Sequence, residues 1–105
     1  MLRTHFLSQV GLAALITLVG GEVCWANGDV VYSSKCAACH GVDGLAPMPN
    51  APNLVGQKKG YVMTQLADFK SGERKGLMMP AISAGLTEEE MEAVAAFIAE
   101  GMVCK

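Results

Sequence analysis

The stretch Lys35-Cys36-Ala37-Ala38-Cys39-His40-Gly41 decides how the rest of the chain is read. Two thiols three residues apart on one helical turn can reach the two vinyl groups of a single haem and form thioethers. The next residue, His40, then offers its imidazole to the iron. Three other chemistries use a C-x-x-C pair. A thioredoxin-like redox pair needs a βαβ context, and the chain shows no strand-period alternation. A structural zinc site takes four ligands, and after residue 26 only Cys36, Cys39, His40 and the remote Cys104 are available. A simple disulfide leaves His40 without a role. Covalent haem is therefore the reading carried forward.

Upstream of the motif, Arg3 is followed by the apolar run Val10–Val19 and then by Gly20, Gly21 and a short stretch ending at Ala26. The order of charge, apolar run and small residues is that of a secretory signal peptide. The run of about ten residues is half of what a spanning helix needs. The expected cut follows Ala26, with Cys24 and Ala26 at the −3 and −1 positions. This divides the chain into a leader, 1–26, and one domain, 27–105. Cys24 then departs with the leader. Cys36, Cys39 and Cys104 remain, an odd number that rules out a fully paired disulfide framework.

The chain carries a net charge of −2. Removing residues 1–26 does not alter it, because Arg3 and Glu22 leave together. With no basic stripe, nucleic acid is excluded as a partner. A domain this small sits near the lower limit for a self-supporting core and needs a staple. At about 25 cal/mol per Å² of apolar surface buried, a haem supplies a large part of such a core.

Along the chain, Asn27–Ala38 reads as a short helix that runs into the motif, with Asn27 or Asp29 as its cap. Gly41–Gly60 holds too many Gly and Pro residues for regular structure. A loop of that length needs something to wrap. Tyr61–Ser71 has Val62, Leu66 and Phe69 at helical spacing, and Gly72 stops it. Gly72–Gly85 reads as loop again and contains Met78, Met79 and Pro80. Thr87 and Glu90 form a capping box that opens the last helix, which Gly101 ends. The fold class is all-α: three main helices with long loops wrapped around one covalent haem.

After residue 26, His40 is the only histidine, so a second axial ligand within the chain has to be a methionine sulfur, which raises the reduction potential. Met63 and Met91 sit in helices and read as core filler, and Met102 lies at a fraying end. Met78 and Met79 lie in a Gly/Pro-bounded loop that can fold over the ring. One of the pair ligates and the other packs.

Five segments, KCAACHGVDG, APNLVGQ, YVMTQLADFKSGERKG, MMPAISAGLT and EEEMEAVAAFIAEG, together resemble the class I cytochromes c, in particular the bacterial cytochromes c553 and the single domains of cytochromes c4. The resemblance covers nearly all of 27–105. It implies that Met79, eight residues before the capping Thr87, is the distal iron ligand, with Met78 as the fallback. It implies that the Pro52 carbonyl accepts a bond from His40, orienting the imidazole. Tyr61, Leu66 and Phe69 match the helix that packs on the haem. Gly28 and Phe97 match the contact where the first and last helices cross.

The function expected from this is a periplasmic carrier of single electrons between redox proteins, through a haem edge exposed near Cys36 and Cys39. The chain is then not an enzyme. The alternative is the haem-bearing subunit of a larger periplasmic dehydrogenase. Expected partners are oxidases, reductases or dehydrogenases, with no stable membrane insertion once the leader is removed. Cys104 departs from the family pattern and reads as a free thiol, a dimer disulfide or an accidental residue. Lys58 and Lys59 read as a solvated basic turn before the second helix.

Overall fold

A computed structural model of the protein describes residues 24–105, so most of the leader lies outside the described residues. A 3-10 turn, Trp25–Asn27, leads into helices α1 (Gly28–Lys35), α2 (Ala37–His40), α3 (Lys59–Ser71), α4 (Met79–Ala84) and α5 (Glu88–Ala99). Among the described residues there is no strand, and no helix is long and apolar enough to cross a membrane.

The two long helices begin and end for local reasons. Thr87 caps α5: its hydroxyl accepts from the Glu90 N–H at 3.1 Å, and the Glu90 carboxylate accepts from the Thr87 N–H at 3.0 Å. The Thr87 backbone bond, the largest effect, and nearby Lys35 hold the Glu90 carboxyl below its usual range, against an opposing push from desolvation. One face of α5 buries Met91, Val94, Ala95 and Ile98. α3 starts two residues before the expected Tyr61, so Lys59 belongs to the helix instead of a solvated turn. Its ammonium meets Glu92 of α5 at 3.1 Å and lies 5.8 Å from the Trp25 ring centroid. α3 buries Val62 and Leu66 against α5 and stops at Gly72 in the left-handed conformation.

The N-terminal helix departs from expectation in two ways. Asn27 precedes it in a left-handed conformation, and its side chain makes no capping bond. The helix also breaks at Cys36, where φ is −122°, so the motif starts a separate turn, α2. The backbone bond from Cys36 N–H to Tyr32 O at 2.9 Å bridges the break. The crossing of α1 on α5 depends on Gly28: a Cβ there would overlap the Ala93 carbonyl oxygen and come within 3.3 Å of the Phe97 Cβ. Beside it the Tyr32 and Phe97 rings meet at a tilt of 53°, their centroids 5.5 Å apart.

Two further expectations are corrected. The segment Gly72–Gly85 is not all loop, because Met79–Ala84 forms α4, with Pro80 in its first turn, where the missing N–H costs nothing. And Cys104 is neither free nor left for a second chain: it forms a disulfide with Cys24, across 80 residues of sequence and a Cα–Cα distance of 4.5 Å. The two sulfurs cluster with the Asp29 carboxylate, but joined to each other they are not available as metal ligands. A cut after Ala26 would remove half of this bridge. With the tail tied down, Met102 is half-buried against the core instead of fraying.

Candidate haem site

Cys36, Cys39 and His40 line one side of a cavity of about 450 Å³. Leu54 and Pro52 come from the long loop, Tyr61, Leu66 and Phe69 from α3, and Met78, Met79 and Ile82 from the α4 region. Every site residue expected from the sequence is thus brought to the same cavity. The floor is apolar, formed by Leu86, Val94 and Ile98.

His40 is buried, and its Nδ1 lies 2.8 Å from the Pro52 carbonyl oxygen. A carbonyl can only accept, so Nδ1 carries the proton and Nε2 keeps its lone pair for a metal. The motif is held rigidly beneath it. Cys39 and His40 both donate their N–H to Cys36 O, and the Tyr32 hydroxyl donates to Gly41 O at 2.6 Å. Gly41 has φ +84°, and a side chain there would run into the Leu45 carbonyl oxygen. Glycine is thus required where the chain turns sharply away from the imidazole.

Neither motif thiol is in a disulfide. Burial pushes the Cys36 thiol up to about 11, against a small opposing pull from Lys35. The same burial, with Cys36 and Asp43 nearby, pushes the Tyr32 phenol up to about 12. At neutral pH both groups are protonated and uncharged, which suits an apolar wall.

Met79 is half-buried and packs against the core, whereas Met78 is 61% exposed. Two lysines that the sequence reading passed over secure the far end of α4. Lys35 Nζ donates to Gly85 O at 3.2 Å, and Lys70 Nζ donates to Leu86 O. Cations suit the carbonyl-rich C-terminal end of a helix. They tie α1 and α3 to the segment that carries Met79. Nothing in the linear spacing pointed to these contacts, which join residues 50 and 16 positions apart.

The donor set fits a covalent haem. It has two unpaired thiols on one turn, an imidazole with a free Nε2, a thioether on a separate element, and an apolar cavity between them.

Known proteins agree with this geometry. A family profile described as cytochrome C oxidase, cbb3-type, subunit III matches residues 24–98. Cytochrome c4 of Pseudomonas aeruginosa is 33% identical over 97 residues, which cover 89% of this chain and 48% of that protein. The thiosulfate dehydrogenase electron acceptor of Stutzerimonas stutzeri is 38% identical over 95 residues, covering 82% of this chain and 43% of that protein. The chain thus spans about half the length of these curated relatives. The solved structure of Acidithiobacillus ferrooxidans cytochrome c4 superposes with a TM-score of 0.64 at 30% identity, covering 70% of this chain and 48% of that one. The helices of this chain therefore adopt the class I cytochrome c fold, and the chain belongs to the cytochrome c family, whose members carry covalently bound haem c.

Proposed function

We propose that the protein is a monohaem electron carrier in which Cys36 and Cys39 form the haem thioethers, and His40 and Met79 are the axial iron ligands. The observation that carries this reading is the orientation of His40. Its Nδ1 is committed to Pro52 O, and its other nitrogen is left for iron. The haem supplies one-electron redox chemistry. The chain's own residues hold, orient and shield it. Pro52 fixes the imidazole plane and tautomer. Leu66, Phe69, Leu86 and Ile98 exclude water. The lysine-tied α4 brings Met79 to the cavity that His40 lines, where its thioether would hold the iron. No proton transfer or nucleophile is required, so the chain is a carrier and not an enzyme in its own right.

The chain works outside the cytoplasm, in the periplasm. Its one intramolecular disulfide belongs in an oxidising compartment. We place the leader cut before Cys24, not after Ala26, so that the mature protein keeps the bridge. N-terminal sequencing and intact mass of the exported protein test this. A mature N-terminus at Asn27 overturns it.

A second reading, the haem subunit of a dehydrogenase complex, draws support from the Chlorobaculum tepidum relative named as the cytochrome subunit of sulfide dehydrogenase, 36% identical over 67 residues. Co-purification of a catalytic subunit with the native protein separates the two readings.

The haem assignment itself is tested by a reduced-minus-oxidised optical spectrum with a pyridine haemochrome assay. A c-type α-band is expected, with a weak near-infrared sulfur-to-iron band in the oxidised form. Properly exported protein with no covalent haem overturns the assignment.

A further inference from the structure

Met79 is the first residue of α4, and α4 ends at Ala84, six residues in all. A helix that short does not hold itself together, because its first turn fixes several dihedral angles for a single hydrogen bond. The position of Met79 therefore depends on what grips the segment from outside. At the start of α4, Met78 makes no side-chain capping bond. At the other end two ammonium groups converge on consecutive carbonyls. Lys35, from α1, donates to Gly85 O at 3.2 Å, and Lys70, from α3, donates to Leu86 O. Among the described residues neither carbonyl accepts a backbone N–H. The lysines thus satisfy acceptors that the backbone leaves open between the two helices.

The two bonds are not equal. Lys35 is shared with the Glu90 carboxylate at 3.6 Å. Lys70 forms no ion pair among the described residues, so its charge is directed at Leu86 O. A charged donor makes a stronger bond than a neutral one. Leu86 is 2% exposed and belongs to the cavity floor. Lys70 follows Leu66 and Phe69 on the helix that forms the cavity wall, and does not itself line the cavity. Its bond therefore joins that wall to the floor at the point where α4 hands over to α5.

We propose that Lys70, assisted by Lys35, is a positioning residue that keeps the sixth iron position closed, by holding α4 so that small ligands from solution do not displace Met79. The inference rests on the Met79 reading above and adds what enforces it. An outside ligand binds only in the fraction of molecules in which Met79 has swung away. Its apparent affinity is its intrinsic affinity scaled by that fraction. Loss of the Lys70 bond alters no residue of the cavity lining and enlarges the open fraction.

The test titrates ferric holoprotein of wild type, K70L, K70R, K35Q and G28A with imidazole, following the loss of the near-infrared sulfur-to-iron band. K70L keeps most of the apolar stem and has no donor. It is expected to bind imidazole about tenfold more tightly than wild type, the worth of one charge-assisted bond. K70R restores a charged donor and recovers most of the difference, and K35Q shows a smaller rise than K70L. G28A is the control: its strain lies at the α1–α5 crossing, outside the cavity, so its imidazole affinity stays that of wild type. K70L with wild-type affinity overturns the proposal. So does a rise in G28A as large as that in K70L, because the effect then follows global stability alone. If K70L does not assemble with haem, K70Q makes the same comparison, with the same two overturning results. Wild-type holoprotein that lacks the band before imidazole is added overturns the Met79 reading, and this inference with it, so the two failures are seen at different steps.

Discussion

At the scale of single residues, the two adjacent methionines make the sharpest test of the site. Met79 opens α4 and packs against the core, and Met78 stands exposed one residue before the helix. Replacing Met79 by Ala is expected to abolish the near-infrared sulfur-to-iron band, and Met78→Ala to leave it largely intact. Loss of the band in Met78→Ala alone would reverse the assignment. Tyr32 gives a pH signature. Its folded-state value is raised, from 10.0 to about 12, because burial disfavours the phenolate. Folding therefore gains stability that is fully present below pH 10 and is lost as pH rises through about 12. Urea midpoints measured across that window should fall more steeply than in Tyr32→Phe. The variant also loses the bond to Gly41 O, so its midpoint starts lower at neutral pH.

At the scale of elements, the α1–α5 crossing and α4 carry opposite expectations. Gly28→Ala places a methyl group into the Ala93 carbonyl. Backbone cannot give way as a side-chain tip can, so the substitution should cost about 1–3 kcal/mol in urea unfolding. In α4 the Ser83 hydroxyl is fully buried with no hydrogen-bond partner. Removing an unsatisfied polar group from an apolar site is neutral or favourable. Ser83→Ala is expected to leave the urea midpoint unchanged or raise it, and a loss greater than about 1 kcal/mol would reveal a hydroxyl bond of ordinary strength. Most of the elements were legible in the sequence, because a capping box, an apolar stripe and stop glycines act within a few residues of one another. α4 was not. Met79–Ala84 is too short to show a period, and Pro80 within it and Gly76 and Gly85 beside it are all residues that normally mark loops.

At the scale of the whole molecule, the chain has two covalent staples of different kinds. The thioethers proposed at Cys36 and Cys39 would tie the haem to the motif turn. The Cys24–Cys104 bridge ties the two ends of the described chain across 80 residues. A bridge closing so long a loop restricts the unfolded chain and is worth about 2–4 kcal/mol. Cys24→Ser with Cys104→Ser, compared with wild type by urea unfolding of holoprotein, should lose stability in that range while keeping the optical spectrum, because neither sulfur touches the haem cavity. Loss of the haem spectrum in that variant would mean that the clasp positions the site as well as stabilising it.

The motif Cys36–His40, the all-helical class and the pair of candidate methionines were determined by the sequence alone, because each rests on spacing or chemistry within one short segment. Tertiary structure decided what joins segments far apart. It paired Cys24 with Cys104, which a reading of 27–105 could not consider once Cys24 was assigned to the leader. It placed Pro52 O 2.8 Å from His40 Nδ1 and packed Met79 against the core, both as the resemblance implied, and it tied Lys35 and Lys70 to the end of α4, which no resemblance or spacing indicated. Those outcomes depend on how α1, α3, α4 and α5 close on one another. No local propensity records that closure, because its energy comes from apolar surface shared between elements.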